Sequence, residues 1–438
     1  MMKFLFMMLL SIGLFFFKNQ FNKFIICFFL SMNMFMFNIY STNLWVGGMN
    51  LFYMDFYSYY LIILSLWLVG CMMLLNLSKF LMLMIYLLMN VLILCFLSLN
   101  LMMFYLLFEM SLLPIFFMIV MGGYTFERLE AALYMLMYTV VSSMPFLWMI
   151  MNIYLEFKSL MIIYLIFDMI KLGWIFYLMF LFTFLIKIPM FIFHIWLPKA
   201  HVEAPVYGSM ILAGVLLKLG SYGVLRLIQI FLIDSITYSF YLISWSIIGS
   251  ILISFVCLIQ VDLKMLVAYS SVVHMGLMIA GMYTLTKMGL IGGLMMMLAH
   301  GLCSSGLFYL VNLNYERMGS RLMYMNKGSL MINPSLGLFW FLLCSSNLAA
   351  PISLNLVSEI CLLIGLVCWE PKLMLFLMIL SFVSASYSLY LFSFSQHGSM
   401  INLLMNYKPV NLKDFFMLMI HWIPLNIMFL NLGLFMCS

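Results

Sequence analysis

FTFLIKIPMFIFHIWLPKAHVEAPVYGSMILAGVLLKLGSYGVLR, residues 182–226, places two lysines inside long apolar runs. Lys187 and Lys218 are surrounded by side chains that a lipid bilayer accepts, whereas a charge at the bilayer centre costs about 2.5–3.5 kcal/mol on insertion scales. Such residues persist mainly where they face a protein interior or a water-filled path, and they often mark the route of an ion. The stretch therefore predicts a membrane protein with functional charges at mid-depth.

The composition of the whole chain supports a membrane location. Of its 438 residues, 67% are hydrophobic and 7% are charged. The apolar runs are long and unbroken, which favours helices over the alternating strands of a β-barrel. We predict an all-α polytopic membrane protein with about 14 transmembrane helices, at residues 4–17, 24–40, 54–76, 80–100, 101–121, 130–152, 172–197, 206–228, 239–259, 264–284, 288–312, 335–365, 372–395 and 414–436.

The charges between these spans predict an orientation. Lysine and arginine are more numerous in the connections after odd-numbered spans, where we also assign Lys264, than in the others, where we assign Arg226. The excess of positive charge marks the matrix or cytoplasmic side, so both termini are expected on the opposite side.

Two of the predicted spans contain a proline near their middle. Pro189 follows Lys187 in span seven, and Pro351 lies in span twelve before Glu359. Proline removes a backbone donor and clashes with the preceding turn, so we expect two broken helices, five spans apart. This spacing predicts two inverted five-helix repeats, with the chain organised as helices 1–3 (1–79), a first repeat of helices 4–8 (80–228), a second repeat of helices 9–13 (229–395) and helix 14 (396–438).

Few ionisable residues fall inside the predicted spans, and these are the candidates for moving a proton. Burial disfavours a charged form and an opposite charge favours it, so a Glu109–Lys187 pair would be sensitive to small movements. Histidine exchanges protons near neutral pH and can bridge such sites. The six candidates are Glu109, Lys187, Lys218, His274, His300 and Glu359.

Each candidate also has a purely structural interpretation. Glu109 and Lys187 would form a static buried ion pair, and Lys218 would extend its ammonium towards an interface. His274 and His300 would be hydrogen-bonded packing residues, and Glu359 would hold the end of a broken helix. His194 and His201 flank the end of a span, where packing or capping competes with a relay role.

Other chemistries find little support in the sequence. The nine cysteines form no C-x-x-C pair, and His194 and His201 lack the i, i+4 spacing of a helical zinc site, so we predict no metal site. There is no P-loop for ATP and no sign of nucleic-acid binding. Any redox chemistry is therefore expected on other chains.

Four segments resemble the antiporter-like subunits of respiratory complex I and of bacterial cation/proton antiporters. The resemblance extends over roughly residues 80–400 and rests on IKIPMFIFHIWLPKAHVEAP (186–205), ILAGVLLKLGSYGVLR (211–226), DLKMLVAYSSVVHMG (262–276) and AHGLCSSGLF (299–308). It implies one half-channel around Glu109 and Lys187, a central Lys218 and a second half-channel ending at Glu359. In it, His274 and His300 would be relays, with His194, His201, Pro189 and Pro351 in secondary roles. The paralogous chains carry lysine where Glu359 stands here.

The resemblance also implies the setting of the chain. NADH, FMN, iron–sulfur clusters and ubiquinone would lie on other subunits, with no cofactor in this chain. Its partners would be other membrane-arm subunits, including the antiporter-like chains 2 and 5, and phospholipids such as cardiolipin. The 49 methionines agree with a mitochondrial genetic code, so the mitochondrial inner membrane is the expected location.

Three functions are then open. The first is a proton-translocating subunit of complex I, driven by NADH oxidation and quinone reduction elsewhere. The second is a Na⁺/H⁺ or K⁺/H⁺ antiporter subunit, against which the methionine-rich composition and Glu359 argue. The third is a structural scaffold that does not pump.

Overall fold

The computed structural model describes most of the chain beyond the first two predicted spans. The described residues are 46–49, 52–75, 77–123, 125–167, 170–399 and 409–436, together with Lys23, Ile25 and Cys27. The predictions for spans 4–17 and 24–40 thus lie almost wholly outside the described residues.

The chain forms two compact units, and the first comprises the described residues up to Ile188 together with Glu203–Tyr238. From residue 46 on, its described part consists of a two-stranded hairpin followed almost entirely by helix. Its elements are β1 (Val46–Met49), β2 (Phe52–Met54), α1 (Phe56–Met73), α2 (Lys79–Leu97), α3 (Leu101–Met110), α4 (Leu112–Gly122), α5 (Arg128–Phe157), α6 (Ile162–Phe167), α7 (Trp174–Lys187) and α9 (Val206–Ile230).

The second unit comprises Pro189–Val202 and Ser239–Met436. Helix α8 reaches one residue into the first unit, and α10 begins there. The elements are α8 (Trp196–Glu203), α10 (Leu232–Ile259), α11 (Leu263–Tyr283), α12 (Lys287–Met318), α13 (Ser329–Ile332), α14 (Pro334–Asn347), α15 (Leu354–Trp369), α16 (Met374–Gln396), α17 (Leu412–Leu430) and α18 (Gly433–Met436).

Ten helical segments of the described chain are long and apolar enough to cross a membrane. They are α1, α2, α3 with α4, α5, α9, α10, α11, α12, α16 with the 3₁₀ turn before it, and α17. Two shorter apolar helices, α7 and α15, adjoin the interruptions described below. The polytopic helical class is therefore confirmed, while the count of 14 and the inverted repeats over 80–228 and 229–395 stay predictions.

The hairpin before α1 departs from the all-α prediction. Strands β1 and β2 pair antiparallel, with Val46 opposite Met54 and Gly47 opposite Tyr53. The Gly-Gly pair at 47–48 disfavours a continuous helix there. Span 54–76 therefore starts two residues late, at Phe56.

Two charges that were assigned to connections lie inside helices. Arg226 belongs to α9 and Lys264 to the first turn of α11, and both side chains are buried. Several helices also extend past the predicted ends, to Phe157 in α5 and Met318 in α12. Hydropathy detects only the apolar part of a helix, whereas backbone hydrogen bonds continue through its polar ends.

Both expected interruptions are present. Helix α7 ends at Lys187, just before Pro189, and the chain resumes as a 3₁₀ turn at Phe193–Ile195 and then as α8. Pro198 does not break α8, because it lies in the first turn, where a missing N–H costs nothing.

The second interruption separates α14 from α15, and Pro351 lies within it. Each interruption holds an isoleucine with left-handed backbone geometry, Ile192 with φ 84° and Ile352 with φ 71°. A β-branched residue rarely adopts this geometry, so the backbone is strained at both places.

Candidate functional site

Lys187 lies at the end of α7 because Pro189 cannot continue the helix. Its side chain is 3% exposed, and its Nζ donates a hydrogen bond to the backbone oxygen of Phe108 at 3.0 Å. The ammonium also lies over the Phe108 ring. A cation in the last turn of a helix faces the negative end of the helix dipole, so the surrounding backbone stabilises this buried charge.

Glu109 follows Phe108 on α3 and points to a different partner. The Ser143 side chain of α5 lies beside its carboxylate, although the Ser143 hydroxyl donates to the backbone oxygen of Val140 at 3.0 Å. The Oε1 atom of Glu109 is buried without a hydrogen-bond partner among the described residues. The ion pairs of the described chain do not include Glu109 with Lys187, so the structure does not support the interpretation of a static ion pair. The ammonium of Lys187 donates to the Phe108 carbonyl, and the carboxylate of Glu109 lies beside Ser143. The two charges attract each other only through space.

Lys218 is fully buried on α9, two residues after a π-helical turn at Leu212–Leu216. Its Nζ donates to the backbone oxygen of Ala213, at 2.5 Å. Single π-helical turns inside α-helices are frequent at functional sites, because they shift backbone groups out of the regular pattern. The turn was not predicted from the sequence.

Two glycines bring α9 close to the end of α7. A Cβ built on Gly220 would lie 3.2 Å from the Cβ of Lys187, and one built on Gly223 would overlap the Phe184 ring. The KLGSYG segment that begins at Lys218 therefore serves packing as well as charge. It lets the helix that carries one buried lysine pack against the helix that carries the other.

An ion pair that the sequence analysis missed also lies in the first unit. Arg226 of α9 pairs with Asp55, the residue before α1, and donates to the Tyr222 hydroxyl at 2.6 Å. Asp55 and Arg226 are far apart in sequence, and each lies at one end of its predicted span, so no local pattern connects them. The side chain of Arg226 is nevertheless 5% exposed.

The second unit holds a cluster built around His274 of α11. Its Nδ1 lies 3.4 Å from Oε1 of Glu359 on α15, and its Nε2 lies 3.5 Å from the hydroxyl of Tyr387 on α16. The ring centroid of His300, on α12, is 5.7 Å away. The structure thus brings together three of the predicted residues, and adds Tyr387, which the sequence analysis missed.

His194 and His201 lie among aromatic rings. His201 stacks on Phe308 at 4.5 Å, and His194 lies about equally far from Phe191 and Tyr269, at 5.9 and 6.0 Å. These contacts agree with the packing interpretation. Within the described chain, no three His, Cys, Asp or Glu side chains are grouped closely enough to hold a metal ion.

These features define a class: a helical membrane protein with buried ionisable side chains beside interrupted helices. A family model described as NADH:quinone oxidoreductase/Mrp antiporter, TM, matches residues 98–384. The chain therefore belongs to this family of membrane subunits, and the resemblance seen in the sequence motifs is confirmed.

Its similar proteins include NADH-ubiquinone oxidoreductase chain 4 of Aedes aegypti, 46% identical over 98% of both chains. The chain 4 of Ceratitis capitata is 44% identical over 86% of each.

Two solved structures share the fold. Respiratory complex I from Thermus thermophilus contains a chain that matches with a TM-score of 0.87 at 21% identity, over 99% of this chain and 95% of that one. The Mrp complex from Dietzia contains one with a TM-score of 0.86 at 14% identity, over 98% and 91%.

Proposed function

We propose that the chain is a proton-translocating membrane-arm subunit of NADH:ubiquinone oxidoreductase in the mitochondrial inner membrane. The observation that carries the proposal is the burial of Lys187 and Lys218 on closely packed helices beside an interruption. Relatives named as chain 4 of that enzyme, at 46% identity over nearly the whole chain, support this setting.

In the first unit, the two lysines hold the protons. Each ammonium donates to a backbone carbonyl, which stabilises the charge but cannot accept the proton. A change of charge at Glu109 alters the attraction that holds the proton on Lys187. A proton can therefore enter near Glu109, reside on Lys187 and pass to Lys218.

In the second unit, His274 is the centre of transfer. An imidazole accepts a proton on one nitrogen and releases one from the other, and the two nitrogens here face Glu359 and Tyr387. His300 is near enough to exchange protons with His274 through one water molecule. Glu359 is the terminal carboxylate of this group.

The energy for transport comes from outside the chain. Moving one proton against the membrane potential needs about 2.3 kcal/mol per 100 mV. We propose that NADH, FMN, iron–sulfur clusters and ubiquinone on other subunits supply it, and that this chain itself carries out no redox step. Its partners are then the other membrane-arm subunits, among them chains 2 and 5, and phospholipids such as cardiolipin.

The test is Lys218→Met in the assembled enzyme, with the rate of proton translocation during NADH oxidation as the readout. Methionine keeps the volume and removes the proton-carrying nitrogen, so we expect this rate to fall by at least about tenfold, a lower bound beside the roughly 10²–10⁴-fold contribution of an acid–base group. The matched control is Lys287→Met, at the exposed first position of α12. It is expected to translocate protons normally.

The two other functions give different results. A scaffold predicts that Lys218→Met assembles and pumps normally, which would end the proposal. A cation/proton antiporter subunit predicts that the rate of proton movement depends on Na⁺ or K⁺ on the opposite side of the membrane. We expect no such dependence in reconstituted enzyme.

A further inference from the structure

The buried ion pair between Asp55 and Arg226 has no place in the mechanism above. It lies where α1 begins and where α2 and α9 end. Asp55 precedes α1, and Arg226 is near the end of α9. The hydroxyl of Tyr222 donates to the backbone oxygen of Phe96, near the end of α2, at 2.8 Å. The Asp55 side chain is 12% exposed and that of Arg226 is 5% exposed, so the carboxylate is the more accessible of the two.

Only one member of this pair can gain and lose a proton. Arginine stays charged in proteins, so any change of protonation falls on Asp55. Its Oδ2 faces Arg226, whereas its Oδ1 is buried without a hydrogen-bond partner among the described residues. A buried carboxylate oxygen that no donor satisfies is a ready acceptor for a proton or a water molecule.

The pair is connected to Lys218 along one face of α9. Lys218, Tyr222 and Arg226 are spaced four residues apart, so their side chains follow one another on the same side of the helix. From Lys218 to Arg226 the helix rises about 12 Å, a distance that a few water molecules span. Tyr222, which accepts from Arg226 and donates to Phe96, fixes the guanidinium at the far end of this face.

We propose that Asp55 is a proton-transfer residue that takes the proton leaving Lys218 and releases it at the membrane surface; this rests on the proposed function. In the transfer, an N–H bond of the Lys218 ammonium breaks and an O–H bond forms on Oδ1 of Asp55, with water molecules passing the proton between them. The lysine becomes a neutral amine and the aspartate a neutral acid. The Asp55 O–H bond then breaks, the proton goes to water, and the ion pair with Arg226 is restored.

Arg226 and Tyr222 are positioning residues in this step. While Asp55 is protonated, the charge of Arg226 is no longer compensated and repels a positive charge on Lys218. The proton is thereby discouraged from returning. On the predicted orientation, this end of the unit faces the intermembrane space.

The alternative is a static ion pair that joins α1 to α9, and the chain provides a matched example of one. Asp414, in the first turn of α17, pairs with Arg317 at 3.1 Å and accepts from the Tyr309 hydroxyl at 2.9 Å. Its side-chain exposure is 15% and that of Arg317 is 5%, close to the values for Asp55 and Arg226. Both oxygens of Asp414 have partners, and no buried lysine precedes Arg317 on its helix.

The experiment compares Asp55→Asn with Asp414→Asn in the assembled enzyme. Asparagine keeps the shape, the acceptor for arginine and the ability to begin a helix, but cannot carry the proton. We expect proton translocation to fall at least about tenfold in Asp55→Asn, to recover in Asp55→Glu and to change less than twofold in Asp414→Asn. Equal effects of the two asparagine substitutions, or a normal rate in Asp55→Asn, would overturn the proposal.

A second measurement does not depend on the assembly of Asp55→Asn. Infrared difference spectra during NADH oxidation should contain the C=O band of a transiently protonated carboxylic acid, and this band should shift in frequency in Asp55→Glu. A static pair leaves the band in the same place. If Lys218→Met translocates protons normally, the proposed function itself fails. If Lys218→Met does not translocate protons, but Asp55→Asn does and the band is unshifted in Asp55→Glu, only the role of Asp55 is excluded.

Discussion

The buried ammonium groups of Lys187 and Lys218 both donate to main-chain oxygens, those of Phe108 and Ala213. A carbonyl satisfies a charged donor without competing for its proton, whereas a carboxylate partner would become a second place for the proton to stay. The lysines can therefore keep a proton in the membrane interior and still release it to a water molecule.

Tyr387 provides a test at the scale of a single hydroxyl group. Tyr387→Phe removes the contact with His274 Nε2 and leaves the ring in place. A hydrogen bond contributes about 0.5–1.5 kcal/mol, so we expect proton translocation to slow about two- to tenfold, with the enzyme still assembled. The rate is measured as protons moved per unit time in reconstituted vesicles.

The control for this substitution is Tyr390→Phe. Tyr390 lies on α16, the helix that carries Tyr387, and its ring packs against Phe394 with the ring centroids 5.3 Å apart. It should leave the rate unchanged. A normal rate in Tyr387→Phe would mean that Tyr387 only packs against the cluster.

The buried ionisable residues of the candidate site could be selected from the sequence, but their partners could not. An ionisable residue inside an apolar run stands out from its neighbours, which is why Glu359 and Lys218 could be selected. The partners Ser143 and Tyr387 stand out in no such way, since a serine or tyrosine is ordinary in a membrane helix. Their roles depend on which helices pack together, and that information is not local.

Among the helices, prolines predicted the interruptions correctly because their effect on the backbone is local. The π-helical turn before Lys218 has no such marker. Nor did any pattern indicate that α9 and α12 would be the most enclosed of the described spans. All residues in the apolar central part of these two helices are buried, whereas only 28% of those in α17 are. Lys218 and His300 lie on these two enclosed helices.

The close packing of α7 against α9 can be tested at Gly223. A Cβ there would overlap the ring of Phe184, which is buried against Phe104, Phe108 and Phe146. We expect Gly223→Ala to destabilise the assembled subunit by about 1–3 kcal/mol, as overpacking usually does. The midpoint of thermal unfolding in detergent measures this.

Two further variants make the result specific. Gly433→Ala, where a new methyl group meets nothing within 4 Å, should leave the midpoint unchanged. Phe184→Leu in the Gly223→Ala background should recover part of the loss, because it makes room for the added methyl group. If the double variant were no more stable than Gly223→Ala, the overlap with Phe184 would not be the cause.

At the scale of the whole chain, sidedness follows from the predicted orientation. Glu127, before α5, and Lys372, before α16, are exposed residues in connections predicted to lie on opposite sides. In a background with Cys368 and Cys437 changed to serine, we expect a membrane-impermeant maleimide to label Lys372→Cys in mitoplasts. It should label Glu127→Cys only after the membrane is inverted or permeabilised.

The reverse pattern would invert the orientation, and labelling of both residues from one side would mean a miscounted span. The helical class and most span positions could be predicted, since long apolar runs have few alternatives to helix. The hairpin at 46–54 and the two compact units could not, because neither depends on hydropathy.

Ile192 and Ile352 have a consequence for how the chain moves. Glycine would fit both left-handed positions at less cost and would let each joint flex. A branched side chain limits the backbone there to few alternatives, so both joints are stiff instead of acting as hinges. We therefore expect rotating side chains and the rearrangement of water to open and close a route for protons, and not bending of the helices that flank each interruption.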